Sequence, residues 1–318
     1  MRYVALGESG LKVSVLCFGS WLTVAGTVSD GVIRRCVELA LDAGVNLIDT
    51  ADVYQSGGAE QVLGELLAGH ERRHLVVATK AYFPMSDDPN DRGLSRKHLT
   101  ESIDASLRRL RTDYVDLYQC HRYDEETPTE ELVRTMGDLI AAGKVLYWGL
   151  SYWPPARIVE ACLLADALSV PRPISNQPPY SLLERDIERR ILPICREYGL
   201  DQIVFSPLAQ GVLTGKYRAG DIPSDSRAAS AGRRFMGRLL DEDTLGKVER
   251  FTAIAGEVGV TSAQLALAWV LHTEGVAAAI FGATRPEHVE ENVAAAELRL
   301  DQDMLERLDE LFPPEEGA

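Results

Sequence analysis

The stretch Val45-Asn46-Leu47-Ile48-Asp49-Thr50-Ala51-Asp52-Val53-Tyr54 decides the fold. A short apolar run, Val45 to Ile48, stops at a carboxylate, and a tyrosine follows five residues later. Runs of this form are buried strands of parallel sheets, and function collects where such strands end. Two further runs repeat the pattern. His74-Leu75-Val76-Val77-Ala78-Thr79-Lys80 ends in a lysine, and Tyr114-Val115-Asp116-Leu117-Tyr118-Gln119-Cys120-His121 ends in a histidine.

Working outward, each run is followed by a helix-like stretch. Helices are expected over about 58–68 after Asp49, 95–110 after Lys80, and 129–142 after His121. Before them, Tyr3–Leu6 and Leu11–Val13 flank a Gly7–Gly10 turn and read as a hairpin, and Val15–Phe18 leads into a helix over about 29–43 with Ser29 as its cap. After them, Val145–Leu150 ends at Ser151, Pro173–Ser175 at Asn176-Gln177, Gln202–Phe205 at Ser206-Pro207, and Val276–Phe281 at Gly282. Helices near 187–198, 243–258, 262–272, 286–292 and 303–312 complete the pattern, with Pro154-Pro155 opening another. Eight strand–helix units imply a parallel sheet closed as a (β/α)8 TIM barrel, a single domain over residues 1–318. A doubly wound open sheet is the rival, but no G-x-G-x-x-G opens any strand–helix turn.

In a barrel every strand's C-terminal end opens onto one mouth. Trp21, Asp49, Tyr54, Lys80, His121, Ser151, Gln177, Ser206 and Gly282 would then share a pocket. Trp21, Tyr82, Phe83 and Trp153 follow apolar runs and are candidates for its apolar lining; Cys120 reads as packing. The connection between Pro207 and the helix near Asp243 is too long to be incidental. It carries Lys216, Arg227, Arg233 and Arg234, which suggests a lid over an anion.

Composition narrows the classes. A net charge of −15 repels phosphate backbones and argues against nucleic acid. No apolar run approaches the roughly 20 residues of a membrane span, and Met1–Gly7 has no signal-peptide core. Five scattered cysteines point to reduced thiols in a cytosol, with no disulfide framework and no metal site.

A tyrosine phenol, with a pKa of about 10, is a poor acid near neutrality, and a neighbouring ammonium is expected to lower that value. Asp49, Lys80 and Tyr54 therefore read as a relay that makes Tyr54 a general acid, with the carboxylate holding the ammonium. His121 would orient a carbonyl oxygen. Taken singly, each has a plainer reading: a turn-forming Asp, an ion-paired Lys, a packed Tyr, a polar loop His. Their joint placement at strand ends favours chemistry. Protonating a carbonyl is half of a reduction; the other half needs a hydride that no side chain supplies, so a nicotinamide cofactor is implied. A class I aldolase using Lys80 as a Schiff-base nucleophile is the competing chemistry.

Leu47-Ile48-Asp49-Thr50-Ala51 with Tyr54 resembles the signature of the aldo-keto reductase superfamily, and Asp49, Tyr54, Lys80 and His121 fall on its four catalytic positions. Phe18–Trp21, Arg92–His98, Leu110–Asp116, Tyr147–Ser151 and Ser206–Tyr217 resemble more narrowly the branch containing the potassium-channel β-subunits. The resemblance implies an NADPH-dependent carbonyl reductase. By it, Ser20, Trp21, Ser151 and Gln177, with Asp49 beneath, would hold the nicotinamide end. Phe205, Ser206, Pro207, Leu208, Gln210, Lys216 and Arg227 would enclose the pyrophosphate. Gly282, Thr284, Arg285, His288, Glu291 and Asn292 would take the adenosine end, where a helix begins at Pro286. Gly282-Ala283 and His288 replace a Lys-Ser pair and an Arg that many family members carry for the 2′-phosphate. The branch also implies a homo-oligomer, tetramer or octamer, and offers a second reading, a nucleotide-binding redox-sensing channel subunit. His121, where channel subunits have Asn, and the absence of an extended N-terminal segment count against that reading. The apolar loops predict a non-polar or aromatic carbonyl substrate.

Overall fold

The computed structural model describes residues 1–21, 23–218, 222–223, 226–229 and 236–314, and the side chains of Thr27, Arg227 and Arg238 lie outside that description. Strands β1 (Tyr3–Ala5) and β2 (Lys12–Ser14) pair antiparallel as the expected hairpin. Eight parallel strands follow: β3 (Leu16–Gly19), β4 (Leu47–Asp49), β5 (Val76–Ala81), β6 (Val115–Cys120), β7 (Val145–Ser151), β8 (Ser175–Gln177), β9 (Asp201–Val204) and β10 (Val276–Phe281). They close in the order β10-β3-β4-β5-β6-β7-β8-β9, a (β/α)8 barrel.

The helices are α1 (Asp30–Asp42), α2 (Gly58–Leu67), α3 (Arg96–Leu110), α4 (Thr129–Ala141), α5 (Pro155–Ala167), α6 (Ile187–Arg190), α7 (Leu192–Tyr198), α8 (Glu242–Glu257), α9 (Ser262–His272), α10 (Pro286–Ala294) and α11 (Gln302–Leu311). Ser95 caps α3 by accepting from the His98 N–H at 3.2 Å, whereas Ser29 sits at the cap position of α1 without a capping bond. The single helix expected near 187–198 is two. Pro193 has no N–H to return to Arg189, and the chain breaks at Ile191. Among the described residues no single helix is long and apolar enough to cross a membrane.

Strand alternation separates two cores. Outward residues such as Ile48, Val77, Tyr118 and Cys120 pack under the helices. Inward residues Cys17, Leu47, Val76, Ala78, Leu117 and Ile203 fill the barrel, with Leu6 and Val13 of the hairpin packed into the same cluster. The hairpin turn is tied to the start of β9 by Gly7 N–H to Asp201 Oδ2 (2.9 Å) and to the loop before it by Glu8 N–H to the Gly199 carbonyl (2.8 Å). One step further along the same inward faces, the residues turn polar: Asp49, Lys80, Gln119 and Gln177. That change of layer places the site.

Candidate active site

Lys80 is fully buried and its ammonium is saturated. It donates to Asp49 Oδ1 at 2.6 Å, the Thr50 carbonyl at 2.8 Å and the Tyr54 hydroxyl at 3.3 Å, which uses the three donors an ammonium has. The other Asp49 oxygen, Oδ2, accepts from Gln177 Nε2 at 2.8 Å and Gln119 Nε2 at 3.2 Å, and Gln177 also donates to Gln119 Oε1 at 3.3 Å. The carboxylate is thus fixed from both sides. Gly149 makes room for this layer: a Cβ there would meet Ser175 Oγ at 2.4 Å.

Burial alone would drive the Lys80 pKa down, but Asp49 and then Tyr54 hold it above its ordinary value. Lys80 is therefore a charge to be used, not a nucleophile. An aldolase lysine needs the opposite shift, so the Schiff-base reading loses its chemical basis. Tyr54 corrects one expectation. Burial raises its phenol pKa above the ordinary value, and Asp49 adds to the rise; Lys80 pulls the other way without reversing it. The spacing of residues showed the neighbouring charge but not the desolvation. A protonated phenol at neutral pH is still a competent donor to an alkoxide, which is far more basic, and the ammonium stabilises the phenolate left behind.

The His121 ring stands 5.8 Å from the Tyr54 ring, edge to face, and 4.9 Å from Phe83. Burial, then Lys80 and Arg122, hold its pKa well below the usual value, so the imidazole is neutral. Its Nδ1 is buried without a protein partner. A neutral ring beside a phenol can donate to one carbonyl oxygen shared with it. Tyr82 and Phe83 pack on each other at 5.2 Å and line this side, whereas Trp153 turns into the core against Tyr123 at 5.0 Å.

The residues expected around a dinucleotide fall at the same end of the barrel. Ser151 Oγ donates to the Gln177 carbonyl at 3.1 Å, and Gln210 Nε2 to Ser206 Oγ at 2.6 Å. Ser206 follows Phe205 and precedes Pro207 and Leu208 in the turn beyond β9. Burial lowers the His288 pKa from its ordinary value, Arg285 and Lys216 add to that and Glu291 opposes it, so these side chains are near neighbours at the start of α10. Thr284 Oγ1 and His288 Nδ1 are 3.4 Å apart, and Asn292 is buried on the same helix. Among the described residues, a Cβ at Gly282 would find only the Thr23 methyl, at 3.8 Å, within 4 Å. Trp21 follows Ser20, whose N–H donates to the Asp49 carbonyl at 3.0 Å. The Arg227 side chain lies outside the description, and Arg233 and Arg234 lie outside the described residues. Described parts of the long connection, the turns Ala209–Thr214 and Gly237–Leu240, pack on α8 rather than standing free.

These surroundings fit a bound polar cofactor. The hydroxyls of Ser20, Thr23, Thr50, Tyr217 and Ser226 are buried at the strand ends and in the long connection without a protein hydrogen-bond partner. Buried polar atoms are rarely left so unless something else binds them. Backbone strain collects here too: Gln55, Ser56, Tyr152, Ser206 and Gln210 hold φ between 52° and 58°. Among the described residues no group of His, Cys, Asp and Glu side chains is placed to ligate a metal.

Three buried polar side chains under the site carry no signal of their own in the sequence. Gln119 supports Asp49, and its position two residues before His121, hence on the same strand face, was the clue. Asp52 and Glu60 form a buried acidic pair beneath the Tyr54 loop. Ser102 donates to Asp52 Oδ2 at 2.9 Å, and Thr79 (2.5 Å) and Arg109 (2.7 Å) bind Glu60. Burial and then Glu60 raise the Asp52 pKa to about 7.

Fold and site together define a barrel protein with a buried Asp–Lys–Tyr cluster and a neutral histidine at its mouth. The profile of the Aldo/keto reductase family matches residues 15–312, and the chain belongs to that family. Its relatives include a probable voltage-gated potassium channel subunit beta of Arabidopsis thaliana, 43% identical over 94% of this chain and 92% of that protein. A protein of the same description from Oryza sativa subsp. japonica has the same identity and coverage. A putative voltage-gated potassium channel subunit beta of Schizosaccharomyces pombe is 40% identical over 96% of this chain and 92% of its own length.

Proposed function

We propose that the protein is an NADPH-dependent carbonyl reductase that converts an aldehyde or ketone to an alcohol. The observation that carries this is the Tyr54 hydroxyl 3.3 Å from a saturated, buried ammonium, beside a neutral imidazole. Bound NADPH would supply the hydride for the carbonyl carbon. Tyr54 donates its proton to the carbonyl oxygen, Lys80 stabilises the phenolate, and Asp49 with Gln119 and Gln177 keeps Lys80 aimed. His121 donates to the same oxygen and sets its position. Lys216 and Arg285, with the His288 ring beside them at the start of α10, are the groups that would meet the cofactor phosphates. The resemblance to the channel-subunit branch extends the proposal to a homo-oligomer, a tetramer or octamer, and the five free cysteines extend it to the cytoplasm.

The second reading, a redox-sensing regulatory subunit, is favoured by the names of the relatives. The two separate on one assay, steady-state NADPH oxidation with a simple aldehyde. Sustained turnover supports the reductase; a single bound-cofactor equivalent oxidised without further turnover supports the subunit.

A further inference from the structure

Arg122 is a cation at the mouth that the acid–base cluster does not use. It follows His121 in the loop after β6 and is half-buried. Its Nη1 donates to the His121 carbonyl at 2.5 Å, and its guanidinium lies 5.0 Å from the Tyr152 ring centre and 5.5 Å from that of Phe83. Phe83 in turn packs on the His121 ring at 4.9 Å, so the guanidinium borders the place where a carbonyl oxygen meets Tyr54 and His121.

Among the described residues no carboxylate pairs with it. Burial lowers its pKa from the ordinary value, and what opposes that is the phenols of Tyr54, Tyr152 and Tyr82. The contrast within this chain is sharp. Three other partly buried arginines take carboxylates: Arg72 takes Asp116, Arg109 takes Glu60, and Arg185 takes Glu188 and Asp309. Acidic residues outnumber basic ones, 48 to 33, so a half-buried arginine without one is not explained by scarcity. Lys80 is already neutralised by Asp49, so beside Tyr54 and His121 the positive charge offered to a substrate is that of Arg122. A guanidinium has five donors in a planar fork, and the fork matches a carboxylate bidentately. Two rings flank it, and Tyr152 keeps its place despite a φ of +58°.

We propose that Arg122 anchors a carboxylate carried by the substrate, so that the site takes oxo-acids or semialdehydes whose carbonyl and carboxylate are joined by a short spacer. This rests on the reductase reading and narrows it beyond a non-polar carbonyl compound.

The test compares kcat/KM, with NADPH, for two matched pairs: succinic semialdehyde against butanal, and 4-carboxybenzaldehyde against benzaldehyde. The readout is the ratio within each pair, for wild type, Arg122→Gln and Arg122→Lys. The expected wild-type ratio is about tenfold or more in at least one pair and is carried by KM. It falls about tenfold or more in Arg122→Gln and is partly restored in Arg122→Lys. Damage to the fold would lower both members of a pair together and leave the ratio standing. Ratios near one in both pairs, or a ratio untouched by Arg122→Gln, overturn the proposal. If no aldehyde turns over, the reductase reading fails by itself, and calorimetric titration of succinate and benzoate then decides the anchor. Binding to wild type that is lost in Arg122→Gln supports it; equal binding, or none to either protein, overturns it.

Discussion

Replacing Asp49 by asparagine leaves the fully buried Lys80 ammonium beside a neutral amide. The carboxylate holds the ammonium on one oxygen at 2.6 Å and two glutamine amides on the other, at 2.8 and 3.2 Å. An asparagine offers one acceptor oxygen in place of two, so either the ammonium or the glutamines lose their partner. Removing one member of a buried ion pair costs about 3–5 kcal/mol, because the charge that remains is uncompensated. In a chain of 318 residues each kcal/mol lowers Tm by about 1.5 °C, which gives a fall of about 5–8 °C. Differential scanning calorimetry at pH 7 reads this directly. Lys80→Met should also destabilise, but the double variant Asp49→Asn/Lys80→Met should lose less than the sum of the singles by about 2 kcal/mol. A Tm for Asp49→Asn within about 1 °C of wild type, or strictly additive losses, would refute the reasoning.

Asp52 predicts a pH dependence of opposite character. Its pKa is about 7 in the folded chain against an ordinary 3.8, so between those values the folded state keeps a proton that the unfolded state releases. Stability therefore falls as pH rises from about 4 to about 7, by up to roughly 4 kcal/mol. Asp52→Asn should be more stable than wild type at pH 8 by about 1–4 kcal/mol and close to it at pH 4, measured by urea unfolding at both; equal differences at the two pH values contradict this. The neutral His121 and the upward shift of Tyr54 predict a kcat/KM profile for benzaldehyde without a histidine inflection between about pH 6 and 7. Activity should fall only in an alkaline limb above about pH 10, and a limb near 6.5 would show that the imidazole titrates.

What the sequence made legible follows from physics that is local along the chain. A buried strand that ends in Asp49, Lys80 or His121 announces both the strand and the place where polar groups surface, because the barrel mouth is where the apolar inner layer stops. What stayed illegible depends on neighbours far apart in sequence. Asp52 lies within the stretch that decided the fold, yet its burial and its carboxylate neighbour come from α2 and α3, which supply Glu60, Arg109 and Ser102. The direction of the Tyr54 shift is hidden in the sequence for the same reason. Residue order reveals that a cation is near, whereas desolvation is a property of the assembled barrel. The break at Ile191, where one helix is expected, has its signal in Pro193, a residue that cannot donate inside a helix.

The central claim is that the Tyr54 hydroxyl gives up the proton that completes carbonyl reduction. Tyr54→Phe removes one oxygen and leaves the ring packed beside His121 and Lys80. NADPH affinity, followed by cofactor fluorescence, should change little, while the rate of aldehyde reduction in a single turnover should drop by about 10²–10⁴-fold. A variant that reduces the aldehyde as fast as the wild type contradicts the account.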